Sequence, residues 1–156
     1  VIHTTVLTTA WKVVSPIINP VLNFFDKGRQ RRIQASMEFR STVLNELKGL
    51  YPFPSDWPEG TGIDPTLRKI FPALQIAVEK FRPFVPQKDQ EAFEYAWVVY
   101  RTATKRDVDQ DYTHYQSFGA STYTNSSGWK TTKTQGDGKI TFKKNVDRLL
   151  SFAKYS

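Results

Sequence analysis

The chain has 156 residues, a formal net charge of +7, and 14% aromatic residues within a hydrophobic share of 39%. That length suits one domain with its own core, without disulfide or metal staples. The absence of Cys excludes disulfide frameworks, thiolate zinc sites and cysteine nucleophiles, while the positive balance favours an anionic partner, lipid or nucleic acid.

The chain opens at Val1 rather than Met, so an upstream piece is expected, and residues 1–12 are apolar but Thr-rich. Val13, Val14, Ile17, Ile18, Val21, Leu22 and Phe25 then recur near every fourth position, with Ser15, Asn19, Asn23 and Asp26 opposite. This is an amphipathic helix pattern. Ser15-Pro16 and Asn19-Pro20 are two successive start signals, and the main start belongs at Pro20 because a proline further inside removes a backbone bond. The basic cluster Lys27, Arg29, Arg31 and Arg32 follows directly. The helical pattern continues through Ile33, Met37, Val43, Leu44, Leu47 and Leu50, with Gly28 its weak point and Gly49 and Pro52 its end. At about thirty residues the helix is long for a globular domain.

Tyr51 to Gly62 reads as a turn-rich connector. Asp64-Pro65 opens a helix carrying Leu67, Ile70, Leu74, Val78 and Phe81. Its spacing holds across Pro72, which predicts a kink or two short helices in register, stopped by Pro83 and Pro86. The next helix spans about Gln87 to Thr104, with Phe93, Ala96, Trp97, Tyr100 and Ala103 inward. Its acids sit early and its bases late, as the macrodipole prefers. Asp107 to Lys139 is rich in Ser, Thr, Gly, Gln and Tyr, and reads as a mobile loop or a weak hairpin turning at Asn125–Gly128. A last helix, Thr141 to Tyr155, presents Phe142, Val146, Leu149, Leu150 and Ala153 on one face.

The expected fold is all-α, a bundle of four to five helices with a long N-terminal helix and a polar loop or small hairpin before the last helix. Residues 1–25 form an apolar, membrane-proximal segment and 26–156 a single helical domain, with 105–140 as its polar excursion. The expected core is Ile33, Met37, Leu44, Leu47, Leu74, Val78, Phe81, Phe93, Trp97, Tyr100, Val146, Leu149 and Leu150.

Signals for chemistry are few. Asp107, Asp109 and Asp111 form D-x-D-x-D, but a calcium loop needs Gly at its sixth position and Glu at its twelfth. Tyr112 and Phe118 stand there, so a solvated acidic turn is expected. His114 has Asp111 three residues earlier but no evident pocket, and reads as an exposed loop histidine. Gly60 and Gly62 form a lone G-x-G in turn context. Glu38 and Glu46 lie among Arg40 and Lys48 on what reads as a solvated, salt-bridged helix face. No nucleophile, zincin or phosphate-loop motif is present. The expectation is a non-enzymatic protein without catalytic, cofactor or metal residues. Two of Asp107, Asp109, Asp111, Glu91 and Glu94 converging on His114 in a cleft would instead indicate acid–base chemistry.

Two binding signals stand out. An amphipathic apolar face followed by Lys27, Arg29, Arg31 and Arg32 suits an anionic bilayer, each cation adding about 1 kcal/mol near the surface. A full span within residues 1–25 is disfavoured, because Lys12 near its centre costs about 2.5–3.5 kcal/mol and the two prolines add to that. The alternative signal lies later, where Tyr112, Tyr115, Phe118, Tyr123 and Trp129 interleave with Lys130, Lys133, Lys139, Lys143 and Lys144. Single-stranded nucleic acid stacks on such rings while lysines track its phosphates. In that reading Tyr112, Tyr115, Tyr123, Trp129, Lys130 and Lys133 carry the contact.

The strings Phe39-Arg40, Glu46-Leu47-Lys48-Gly49-Leu50-Tyr51-Pro52, Phe71-Pro72-Ala73-Leu74-Gln75, Phe81-Arg82-Pro83-Phe84 and Asn145-Val146-Asp147-Arg148-Leu149-Leu150 resemble a loose group of small uncharacterised bacterial proteins. The similarity covers about Phe24 to Phe152. It implies a membrane segment, a basic run and a helical cytoplasmic portion, and carries over no functional residue. Lys12, Pro16 and Pro20 depart from a clean single span. The leading expectation is thus an accessory protein at the cytoplasmic face of a membrane, held to anionic lipid by residues 13–32 and presenting its helices to a protein partner.

Overall fold

The computed structural model describes residues 27–59, 61–103, 110–116, 121–124, 130–133 and 137–154. Four α-helices among them pack into an all-α bundle: α1, helical over 27–46; α2, Ile63–Phe81; α3, Gln90–Arg101; and α4, Gly138–Leu150. A two-stranded antiparallel hairpin precedes α4, with β1 at Ser121–Thr124 and β2 at Lys130–Lys133. The apolar segment expected over 1–25, with its start at Pro20, lies outside the described residues.

The inward face of α1 differs from the expected one. Ser36, Phe39, Val43, Leu47 and Leu50 are buried, whereas Ile33 is half-buried, Met37 is 50% exposed and Leu44 38% exposed. The buried set keeps steps of three and four, the spacing of one helix face. Of the expected core residues Leu47 is buried, while Met37 and Leu44 stand one position past the buried Ser36 and Val43, because this segment carries apolar residues on two adjoining faces and only its neighbours choose between them. Past residue 46 the chain turns, and Gly49 takes the left-handed conformation with φ +82°. The Asp56 amide donates to the Gly49 carbonyl at 2.9 Å, and a Cβ on Gly49 would collide with the Asp56 side chain. Glycine is required here on both counts.

α2 starts slightly before Asp64-Pro65, which fall in its first turn, and it continues through Pro72 as one helix rather than two. Pro72 and Arg68 are both exposed, so water can satisfy the carbonyl that lacks its i+4 amide. α3 is shorter than expected, its first turn being a 3₁₀ turn at Gln87–Asp89. α4 starts three residues earlier than expected, at Gly138, where the Asp137 carboxylate accepts from the Lys139 amide at 3.0 Å.

The core is aromatic. Phe39 stacks on Phe81 at 4.7 Å, and Phe93 meets both edge-on at 6.2 and 5.7 Å. One helical turn along α3, Trp97 stacks between Phe71 and Tyr100 at 5.8 and 5.5 Å. Tyr115 then meets Phe142 edge-on at 5.1 Å. Such pairs each contribute about 0.5–1.5 kcal/mol beyond simple burial. α3 thereby ties α1 and α2 to α4 and to the segment 110–116. That segment is pinned by a backbone pair, Ala103 amide to Asp111 carbonyl and Asp111 amide to Arg101 carbonyl, both 2.9 Å. Arg68 of α2 adds a bond to the Gln110 carbonyl at 2.7 Å while pairing with Asp64 at the same distance.

Candidate functional site

The basic cluster occupies the first described turn and a half of α1. Lys27, Arg29 and Arg31 are exposed together with the intervening Gly28 and Gln30. No carboxylate among the described residues pairs with any of the three. Arg32 departs from the expected set: it is half-buried, and its Nε is shielded from solvent without a described hydrogen-bond partner. Next to this end an open groove of about 910 Å³ runs between α1 and the C-terminal end of α2, floored by Ala35, Phe39, Phe81 and Phe84 and rimmed by Arg31 and Lys80.

A second concavity, of about 630 Å³, lies between α3, residues 102–103, His114 and α4. His114 is therefore not the exposed loop residue expected. Its ring lies 3.7 Å from that of Tyr115, and both ring nitrogens are shielded from solvent without a well-formed hydrogen bond. Burial holds its pKa below the ordinary imidazole value, against the Val99 and Asp111 carbonyls and the Asp111 carboxylate, which favour the charged ring. Composition around His114 suggested a loop because its neighbours are polar; the tyrosines on either side carry it inward.

No described carboxylate lines this concavity. Glu94 is engaged by Arg82, whose Nη2 donates to Oε2 at 3.0 Å and which also pairs with Glu79. The Asp111 carboxylate accepts from the Thr113 hydroxyl at 2.7 Å and amide at 3.1 Å, and these bonds hold its pKa below the usual range. Asp107 and Asp109 lie outside the described residues, among which no group of His, Asp and Glu could hold a metal ion.

Tyr112 and Tyr115 are fully buried. Their rings are core, not a platform on which bases stack, which corrects that part of the aromatic–lysine set. Tyr123, Lys130 and Lys133 lie on the hairpin, Tyr123 opposite Thr131, Lys130 opposite Thr124 and Lys133 opposite Ser121. Trp129 lies outside the described residues.

Compared with family models, curated proteins and solved structures, the chain matches none. Among the described residues no helix is long and apolar enough to cross a membrane.

Residues missed by sequence reasoning cluster on α4. Asn145 is buried and donates through Nδ2 to the Tyr115 hydroxyl at 2.9 Å and the Val99 carbonyl at 3.4 Å. The signal was an amide between Phe142 and Leu149 on an otherwise apolar face. Lys144 and Arg148, one turn apart, line the second concavity. Lys144 enters the sequence reading only among the late lysines and Arg148 only within a structural string, because lysine and arginine on a terminal helix usually mark a solvated face.

Proposed function

We propose that this is a non-enzymatic accessory protein that associates with an anionic membrane surface, at its cytoplasmic face, and there presents its helical bundle to a protein partner. The observation that carries the reading is the exposure of Lys27, Arg29 and Arg31 in the first described turn and a half of α1 without a described acid partner, directly after an apolar stretch. Unpaired cations on one helix end attract headgroups from a distance, and the apolar stretch adds burial once contact is made.

Vesicle flotation tests it. With phosphatidylserine-containing liposomes at low salt the protein floats, and it returns to the soluble fraction as salt rises. Replacing Lys27, Arg29 and Arg31 together by Gln removes about 3 kcal/mol of headgroup attraction, roughly a hundredfold in partition. These three are exposed, so the bundle keeps its stability in the variant. Wild type that stays soluble with acidic vesicles at low salt, or a triple variant that floats equally well, overturns the reading.

A further inference from the structure

We propose that the concavity between α3 and α4 is a binding site for a small organic carboxylate with an apolar body, at a place separate from the basic end of α1. Its volume of about 630 Å³ lies in the range of small-molecule pockets. The wall divides into two chemistries. Ala92, Val99, Ala103 and Phe152 give an apolar floor, and the rings of Tyr95 and His114 extend it. Lys144 and Arg148 supply the charge, and no acid stands among the described lining residues.

Among the described residues neither cationic side chain has a hydrogen-bond or ion-pair partner. Lys144 and Arg148 are four residues apart on one helix, where like charges repel, and neither meets a carboxylate among the described residues. The neighbouring pair on the same helix is different: Lys143 reaches Asp147 at 2.7 Å. Two further polar groups of the wall, Thr102 and Asn145, are already engaged within the protein, while the His114 ring nitrogens are not. Thr102 donates its hydroxyl to the Val98 carbonyl at 3.2 Å, and Asn145 donates to Tyr115 and Val99. Arg148 and Lys144 are the charged donors of the described wall, and a carboxylate is what a guanidinium fork and an ammonium on the same helix face complement best. The apolar floor asks for a hydrocarbon or aryl body attached to it, since a bare anion would leave that surface wet.

Isothermal titration calorimetry on the full chain decides this, with 2-naphthoate and dodecanoate as probes and 2-naphthylmethanol and dodecanol as their neutral counterparts. At least one carboxylate binds, and its alcohol binds at least tenfold more weakly. The double variant Lys144→Gln, Arg148→Gln loses roughly tenfold or more in affinity while keeping its thermal midpoint. Ala92→Trp places an indole in the concavity from an exposed lining position and abolishes binding. Which probe binds better tells an aromatic body from an acyl chain. The proposal fails if neither carboxylate binds, if the alcohols bind equally well, or if the variants bind as wild type does.

Discussion

The Tyr115 hydroxyl donates to the main-chain carbonyl of Tyr100 at 2.8 Å, inside the core and fifteen residues along the chain. The bond closes the end of α3. A helix leaves its last four carbonyls without intrahelical partners, and here each is met by a different group. The Val98 carbonyl takes the Thr102 amide, Val99 the Asn145 side chain, Tyr100 the Tyr115 hydroxyl and Arg101 the Asp111 amide. Three of these four groups come from beyond the Thr102 cap, so the end of α3 is set by tertiary contacts.

Removing the hydroxyl with Tyr115→Phe leaves the Tyr100 carbonyl unpaired and takes one acceptor from Asn145. The expected loss is about 1–3 kcal/mol, the cost of buried polar groups without partners. Asn145→Ala costs a similar amount. Because the two share one bond, the double variant loses less than the sum, by at least about 0.5 kcal/mol. Urea denaturation of the four proteins measures the cycle, and strict additivity contradicts the network.

Two glycines separate helix propensity from packing. A Cβ on Gly28 meets nothing within 4 Å, whereas one on Gly138 would overlap the Tyr115 carbonyl. Gly28→Ala therefore stabilises α1 by about 0.5–1 kcal/mol. Gly138→Ala forces α4 away from the segment beneath it and destabilises by roughly 1–3 kcal/mol. Thermal midpoints should move in opposite directions, by about 2–4 °C per kcal/mol for a chain of this size.

His114 gives a pH signature. Its folded pKa lies below the ordinary imidazole value, so below about pH 6.5 the unfolded chain takes up the proton first. The stability contribution is complete above that pH and is lost as pH falls toward the depressed folded value. Asp111 and Asp147 also have lowered pKa values, but their losses begin only near the ordinary carboxylate range, well below. Urea midpoints from pH 7.5 to 5 should decline for wild type and stay flat for His114→Gln. Parallel profiles rule out a role for His114.

The helices themselves were legible in the sequence. Phe93, Ala96, Trp97 and Tyr100 keep helical spacing over a long enough run that only a helix buries them together, and the inward face of α4 follows from Phe142, Val146, Leu149 and Leu150 in the same way. The cavity on α4 was not legible. Lys144 and Arg148 look locally like any solvated pair, and only the approach of Val99 and His114 from distant segments makes a wall around them.

The amino-acid sequence by itself determined the all-α class, the inward stripes of α2, α3 and α4, and the exposed basic end at Lys27, Arg29 and Arg31. Those are properties of residues within a turn or two of one another, which periodicity and charge spacing record directly. Tertiary structure alone decided that α1 turns Phe39 and Val43 inward instead of Met37 and Leu44, and that Tyr112 and Tyr115 leave a polar stretch for the core. Both choices depend on which apolar surface a distant segment offers: Phe81 and Phe93 receive Phe39, and Tyr100 and Phe142 receive Tyr115. A local pattern holds no record of surfaces that come together only when the chain folds.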